Sequence, residues 1–338
     1  MSSPQRYPLI SLRLRAQAGL RTALPGPVCR RGQNGMTLIE MMSAMAILIL
    51  LMFVVIQLIN NARNVTTASD KILDAESQAR IVFDRMALDF NRMVKRADVD
   101  YVFNHSSGND QLFFYSEAPA LFTGSAAQQN PVSLVGYRIN TEHRLERLGF
   151  GLSWDGASQG GVVFLSYPSY PVTGTSTPIA ASTITGAFAP VVVSTSTVTS
   201  YHILAENVFR LECCFLLKPS RKTDGSYLPA VYSNSPWDTR IGHAGLVGIG
   251  LSDVQAIVVA IAVLDTTSRK ILTSADDLQQ MADALPDPRD QDLGANPPKL
   301  MSTTWQNRIN DGTLRSLPVP KAAANQIRVY QRTFQLNP

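Results

Sequence analysis

The chain has 338 residues, 45% hydrophobic and 17% charged, which is the composition of a folded protein and excludes an intrinsically disordered one. Its formal net charge of +4 is misleading, because six arginines and no acidic residue precede Gly35. Without these six, 24 basic and 26 acidic residues remain, a net charge of −2, so we expect no direct nucleic-acid partner.

The first predicted element is a basic leader, residues 1–35, which ends in Arg30-Arg31-Gly32-Gln33-Asn34-Gly35. It is followed by Met36-Thr37-Leu38-Ile39-Glu40 and then by no charged residue from Met41 to Ile59. Apolar side chains cover every face of a helix over this stretch, which predicts a transmembrane helix at residues 36–59. Because the arginines all precede it, we expect the N-terminus to stay on the cytoplasmic side.

Glu40 stands alone at the head of this apolar helix. An ionised carboxylate in hydrocarbon is costly, which marks Glu40 as a candidate functional residue.

This N-terminal pattern resembles that of type IV prepilins and of the pseudopilins of type II secretion. In those families a basic leader ends in Gly, the chain is cut after it, and Glu is the fifth mature residue. The resemblance implies cleavage between Gly35 and Met36 by a prepilin peptidase, N-methylation of Met36, and pairing of Glu40 with a terminal amine during subunit assembly. Met36 departs from the Phe that is common at this position, although it is also apolar.

Two other interpretations of the N-terminus were weighed. A secretory signal peptide has its cleavage site after the apolar segment, whereas Gly35 precedes it. In an uncut membrane anchor, Gly35 would be an ordinary loop glycine and Glu40 would mark the membrane interface.

The next predicted element, residues 60–98, is an amphipathic helix. Apolar residues recur at spacings of three and four from Ile72 to Ala97, and charged residues occupy the other faces. No Pro or Gly interrupts the chain from Met36 to Asp98, so we expect one long helix whose second half packs on a soluble head. Two helices with a break near Asn60-Asn61 remain an alternative.

The remaining residues, 99–338, are predicted to form a β-rich head. Runs of β-branched and aromatic residues predict strands at 111–116, 132–140, 162–167, 191–194, 202–217, 253–265 and 326–336. Residues 168–200 are rich in Ser and Thr and are predicted to form exposed loops or ragged strands rather than a second core. Short helices are predicted at 274–285, capped by Ser274, and at 302–309. A long helix on an antiparallel sheet gives an α+β, pilin-like fold.

Beyond the N-terminus the resemblance extends to the J-type minor pseudopilins, through residues 78–96 of the amphipathic helix and residues 209–217 and 253–265 of the head. A pilin-like family called Verru_Chthon cassette protein C is also similar. Its likeness lies in Arg138 of Gly-Tyr-Arg-Ile, in Leu145-Glu146-Arg147-Leu148, and in Gly151-Leu152-Ser153-Trp154.

No catalytic constellation is recognisable in the sequence. The four histidines are isolated from one another, and no Gly-x-Ser-x-Gly motif occurs. We therefore predict that the protein is not an enzyme and that it needs no cofactor.

Three carboxylates, Asp287, Asp290 and Asp292, form the one candidate metal site. Oxygen ligands that lie close in sequence suit calcium, although the spacing is not that of an EF-hand loop. A solvated acidic turn is the other interpretation. The adjacent Cys213 and Cys214 are predicted to be small apolar core residues of a strand.

The sequence thus predicts a pilin-like or pseudopilin subunit, held in the inner membrane by one helix with its head in the periplasm or in a filament. The expected partners are a prepilin peptidase, other pilin-like or pseudopilin subunits, an inner-membrane assembly platform and the lipid bilayer. The large head favours a minor or tip role. The alternative is a membrane-anchored extracytoplasmic binding module that does not polymerise.

Overall fold

The structure, a computed structural model, describes residues 35–95, 101–104, 108–121, 129–152, 201–221, 227–234, 254–272 and 274–336. The chain divides into two compact units, residues 1–61 and residues 62–338, which are described separately below. The predicted strands at 162–167 and 191–194, the loops at 168–200 and the leader before Gly35 lie outside the described residues.

The described residues form an α+β fold with one long helix and antiparallel sheets. The helices are α1 (Leu38–Asn91), α2 (Thr266–Ile271), α3 (Ala275–Asp283), α4 (Asp290–Leu293), α5 (Met301–Asn310) and α6 (Lys321–Ala324), with a 3-10 turn at Thr313–Ser316. The strands of the first sheet are β1 (Tyr101–Asn104), β2 (Gln111–Ser116), β5 (Ser133–Ile139), β6 (Leu145–Gly151) and β7 (Tyr201–Ala205). Those of the second are β8 (Val208–Leu217), β11 (Tyr232–Ser233), β12 (Val254–Val263) and β13 (Arg328–Gln335). Two short pairs complete the set: β3 (Ala120–Leu121) with β4 (Gln129–Asn130), and β9 (Ser220–Arg221) with β10 (Tyr227–Leu228).

Each sheet is antiparallel throughout its described pairs. The five-stranded sheet has the order β1-β2-β5-β6-β7, and the four-stranded sheet has the order β11-β8-β12-β13. The loop before β2 connects the two sheets, because the side chain of Asn109 bonds the backbone of Phe209 and Leu211 on β8, and Asp110 accepts a hydrogen bond from the Cys213 amide.

The buried face of α1 joins both sheets in one hydrophobic core. Ala75, Ala79, Val82, Met86 and Phe90 recur at helical spacing and are all buried within unit 62–338. A second core lies on the other face of the four-stranded sheet, beneath α3, α5 and α6, around Trp305. The head is therefore layered: α1 lies on one face of the four-stranded sheet and the C-terminal helices lie on its other face.

The predicted end of the long helix at Asp98 is wrong, because α1 ends at Asn91. The chain then pairs with the end of β2: the Val94 amide donates to Tyr115 O at 2.9 Å and the Glu117 amide donates to Arg92 O at 2.9 Å. Sheet pairing thus replaces the last predicted helical turns. No break occurs at Asn60-Asn61, where α1 is continuous.

The predicted strand at 202–217 is also wrong, since it is two strands of different sheets. β7 ends at Ala205 and β8 begins at Val208. Between them the Asn207 carbonyl accepts a hydrogen bond from the Leu264 amide at 3.0 Å. The two-residue interruption moves the chain from the five-stranded to the four-stranded sheet.

Candidate processing and assembly site

The start of α1 is closed by a reciprocal cap between Thr37 and Glu40. Glu40 Oε2 accepts hydrogen bonds from the Thr37 amide at 2.9 Å and from its hydroxyl at 3.1 Å, and the Glu40 amide donates to Thr37 Oγ1 at 3.4 Å. This arrangement is a capping box. The Thr-x-x-Glu signature in the sequence would have predicted it. A carboxylate has about four acceptor positions, so Glu40 retains the capacity to accept a bond from an amine.

Gly35 and Met36 lie immediately before this cap. A Cβ placed on Gly35 would meet no atom within 4 Å, so packing against the residues that the structure describes does not require glycine there. Met36 is largely exposed, as are the large apolar side chains of α1 as far as Ile59. The predicted cleavage bond is therefore accessible in the described part of the chain.

Helix α1 is, by length and composition, capable of crossing a membrane, and its most apolar stretch is not buried in the structure. A helix of about 20 apolar residues matches the hydrocarbon thickness of a bilayer.

Within unit 62–338, a buried ionic network fixes α1 to the five-stranded sheet. Asp89 accepts hydrogen bonds from Arg147 Nε at 2.6 Å and Nη2 at 2.9 Å, and from the Tyr137 hydroxyl. Arg85 lies 3.5 Å from the same carboxylate. Arg147, which the resemblance to pilin-like families singled out, is thus a residue that anchors the helix.

Burial and the charge of Asp89 raise the pKa of Tyr137 well above its ordinary value. Burial opposes the charge of Arg147, but the hydrogen bonds to Asp89, the charge of Asp89 and the interaction with Tyr137 together outweigh it and raise the pKa of the guanidinium. Tyr137 therefore remains a neutral donor and Arg147 a cation at any physiological pH.

A second buried network holds the C-terminal loop on the outer face of β8. Arg210 donates to the Leu285 carbonyl at 3.1 Å and to the Asp287 carboxylate, and lies 3.0 Å from Glu212 Oε1. Burial and the nearby charge of Asp110 raise the pKa of Glu212 to about 11. Glu212 is therefore protonated at neutral pH, and Asp287 balances the charge of Arg210.

Two of the three predicted metal ligands, Asp287 and Asp292, are engaged by basic side chains. Asp287 is paired with Arg210, whereas Asp292 accepts from Arg289 Nε at 2.6 Å and from Lys299 Nζ at 3.3 Å. Nothing is described of the Asp290 side chain. Among the described residues, no group of three or more His, Cys, Asp or Glu could hold a metal ion.

The two adjacent cysteines lie in β8, where both are free and buried. Their burial was predicted from the apolar strand around them. Burial raises the pKa of Cys213 well above its ordinary value and that of Cys214 to about 12, so neither thiol is reactive in the folded head.

Residues 30–56 match the model of the prokaryotic N-terminal methylation motif. This motif is typical of type IV prepilin-like proteins. The match contains Gly35, Met36 and Glu40 together with most of the apolar segment. The motif indicates a structural subunit and not an enzyme, and with α1 it indicates a membrane-anchored, single-pass prepilin-like protein.

Comparison with known proteins adds one solved structure. The chain is similar to a type IV-like pilin from Thermus thermophilus, with 12% sequence identity over 77% of this chain and 92% of that one, at a TM-score of 0.27. A TM-score of that size carries no argument about the head. No curated protein matches the chain.

Proposed function

We propose that this chain is a pilin-like subunit that a prepilin peptidase cleaves after Gly35 and N-methylates at Met36. Its N-terminal helix then assembles with those of other subunits into a type IV pilus-like fibre or a type II secretion pseudopilus. The observation that carries the proposal is the methylation motif at residues 30–56, followed by an apolar helix whose side chains are exposed.

The proposed location is the inner membrane, with the N-terminus cytoplasmic and the head periplasmic or, in a filament, extracellular. The six arginines before Gly35 support this orientation, because basic residues are retained on the cytoplasmic side. An inner-membrane assembly platform would then extract the helix from the bilayer.

Glu40 is proposed as the assembly residue. Cleavage would leave a cationic amine on Met36, four residues before Glu40 and thus near the same face of the first helical turn. In a low-dielectric environment an amine from its own or a neighbouring subunit would offset much of the cost of burying the carboxylate. We further propose a minor or tip role, since unit 62–338 is large.

Cleavage is tested by measuring the intact mass of the membrane-extracted protein, with and without a co-expressed prepilin peptidase. We expect a mature species that begins at Met36 and carries one methyl group, and only when the peptidase is present. Gly35→Val should abolish cleavage without affecting the head, because Gly35 belongs to unit 1–61 and the head to unit 62–338. Gly32→Val is the matched control and should be cleaved. A precursor that keeps its leader in the presence of peptidase would contradict the proposal.

Assembly is tested with Glu40→Gln, which removes the charge and retains the shape. We expect cleavage to continue and the yield of sheared fibres to fall, whereas Glu76→Gln, at an exposed position on the same helix, should assemble normally. Normal assembly of Glu40→Gln would contradict the assigned role. A wild-type protein that is anchored but never found in fibres would instead favour the non-polymerising binding module.

A further inference from the structure

The C-terminal strand β13 is an outer strand of the four-stranded sheet, and it is long and regular. Its eight residues pair with β12 without a register shift. The other outer strands of the two sheets are shorter: β1 has four residues, β7 five and β11 two. Proteins commonly shield a long edge with Pro, Lys or a bulge, and β13 contains none of these.

The backbone groups of alternate β13 residues point away from β12. The Leu336 amide donates to Gln255 O at 2.9 Å, and this bond fixes the alternation of the ladder. The residues that bond to β12 are therefore Arg328, Tyr330, Arg332 and Phe334. The residues whose N–H and C=O groups face outward are Val329, Gln331, Thr333 and Gln335. These outward groups bond to no residue that the structure describes, so the edge offers a row of free donors and acceptors.

The side chains of this edge are basic and aromatic on the face toward α1. Arg328 and Arg332 are exposed, and β13 contains no acidic residue. Arg332 pairs with Asp84 of α1 at 2.8 Å, whereas Arg328 has no ion pair among the described residues. A cross-strand neighbour of opposite charge stabilises paired strands, and a like charge opposes pairing. The edge therefore favours an added strand with an acidic side chain opposite Arg328.

The direction of β13 argues against a second copy as the added strand. Burial and the nearby charge of Glu76 raise the pKa of Tyr330, and the Phe334 ring lies 5.2 Å from that of Phe90, so β13 and α1 run the same way. Two β13 strands paired antiparallel would carry their α1 helices in opposite directions. Subunits held in one membrane by the same helix do not lie that way, an argument that rests on the proposed function.

We propose that the outer edge of β13 binds an extended segment of a partner protein as an added antiparallel strand, with an acidic side chain opposite Arg328. Main-chain hydrogen bonds would supply the affinity, and alternate side chains the specificity. The antiparallel direction is favoured because parallel pairs are slightly less stable per residue. This contact lies in the head and is separate from assembly through the N-terminal helix.

The test uses a fluorescent seven-residue peptide and the full chain in detergent, with binding measured by anisotropy. From its N-terminus the peptide has valine, threonine, glutamate, threonine, valine, threonine and glutamate, and it would lie opposite Phe334 to Arg328 in that order. We expect it to bind at least about tenfold more tightly than the peptide with lysine in place of both glutamates. Arg328→Glu should weaken the glutamate peptide and strengthen the lysine peptide. Arg308→Glu, at an exposed position on α5, is the matched control and should change neither.

Two N-methylated peptides separate backbone pairing from non-specific binding. The amides of the second, fourth and sixth peptide residues would face β13, whereas those of the third and fifth would face away. N-methylation of the fourth amide should therefore lower the affinity at least about tenfold, and N-methylation of the fifth at most about threefold. Both peptides carry one methyl group, so partition into detergent affects them alike.

Thr333→Pro tests the same edge from the side of the protein. It removes an outward N–H that bonds to no described residue, so the unfolding midpoint should be retained while peptide binding falls at least about tenfold. If this variant unfolds, the two N-methylated peptides still test the site on the wild-type chain.

The proposal is overturned if the glutamate peptide does not bind at millimolar concentration, or if the two N-methylated peptides bind equally. Oligomers of the chain alone that Thr333→Pro removes would show that a second copy occupies the edge, and would also overturn it. Intact mass of the same samples reports cleavage independently. A chain that keeps its leader but binds the peptide would overturn the proposed processing and leave the β13 site standing.

Discussion

Asp89 near the end of α1 and Arg147 on β6 form a bidentate ion pair inside the head, with N–O distances of 2.6 and 2.9 Å. The carboxylate is fully buried, so the pair joins the helix to the five-stranded sheet through groups that water cannot solvate. Breaking such a pair leaves an uncompensated charge in the interior.

Replacing Asp89 with Asn should therefore lower the free energy of unfolding by about 3–5 kcal/mol. The measurement is urea unfolding of the full chain in detergent. Asp84→Asn is the matched control on the same helix: its pair with Arg332 is exposed, and its loss should cost less than about 1 kcal/mol. Equal effects of the two substitutions would show that the buried pair does not anchor the helix.

Gly136 on β5 should not tolerate a side chain. A Cβ at this position would lie 2.5 Å from Cδ1 of Phe113, a fully buried ring on the neighbouring strand β2. Gly136→Ala should destabilise the head by about 1–3 kcal/mol through overpacking. Thermal unfolding measures this effect, and Phe113→Leu should restore part of the loss. An unchanged midpoint would mean that the ring moves aside freely.

Glu212 should make stability fall as pH rises. Its pKa is about 11 in the folded head, above the ordinary value of 4.5. Between these values the folded state keeps a proton that the unfolded state releases, so ionisation favours unfolding as pH increases, by at most about 1.4 kcal/mol per pH unit.

Glu212→Gln removes this dependence while it keeps a hydrogen-bond donor near Asp110. Denaturant titrations at pH 5 and pH 9 should show that the variant gains stability relative to wild type as pH rises. Glu76→Gln should not, since that residue is exposed and forms an exposed ion pair with Arg80. Parallel pH profiles of wild type and Glu212→Gln would contradict a protonated Glu212.

Calcium should change stability little. Asp287 is held by Arg210, and Asp292 by Arg289 and Lys299, so binding an ion would first require these pairs to break. Unfolding midpoints with calcium and with a chelator should agree. A rise with calcium that Asp292→Asn abolishes would restore the predicted acidic-loop site.

Cys213 and Cys214 should resist modification in the native protein. Both are buried, and their raised pKa values leave almost no thiolate at neutral pH. Incubation of the mature chain with a maleimide should add no mass until denaturant is present. Modification of folded protein would indicate that β8 opens locally.

The sequence by itself determined the features that depend on local order. The uncharged run from Met41 to Ile59, the Gly35-to-Glu40 pattern and the 3.6-residue periodicity predicted the membrane helix, the processing motif and the buried face of α1, because each depends on neighbours within a few turns. Strands such as β2 and β12 were likewise evident from β-branched and aromatic runs.

Only the tertiary structure decided where these elements meet. Asp89 and Arg147 are 58 residues apart, and Arg210 and Asp287 are 77 apart, so no local pattern could pair them. No local pattern could predict the end of α1 either, because the chain there pairs with β2. Nor could it predict that residues 202–217 are divided between two sheets. Long-range hydrogen bonds and burial set these outcomes, and they arise only when distant segments are packed together.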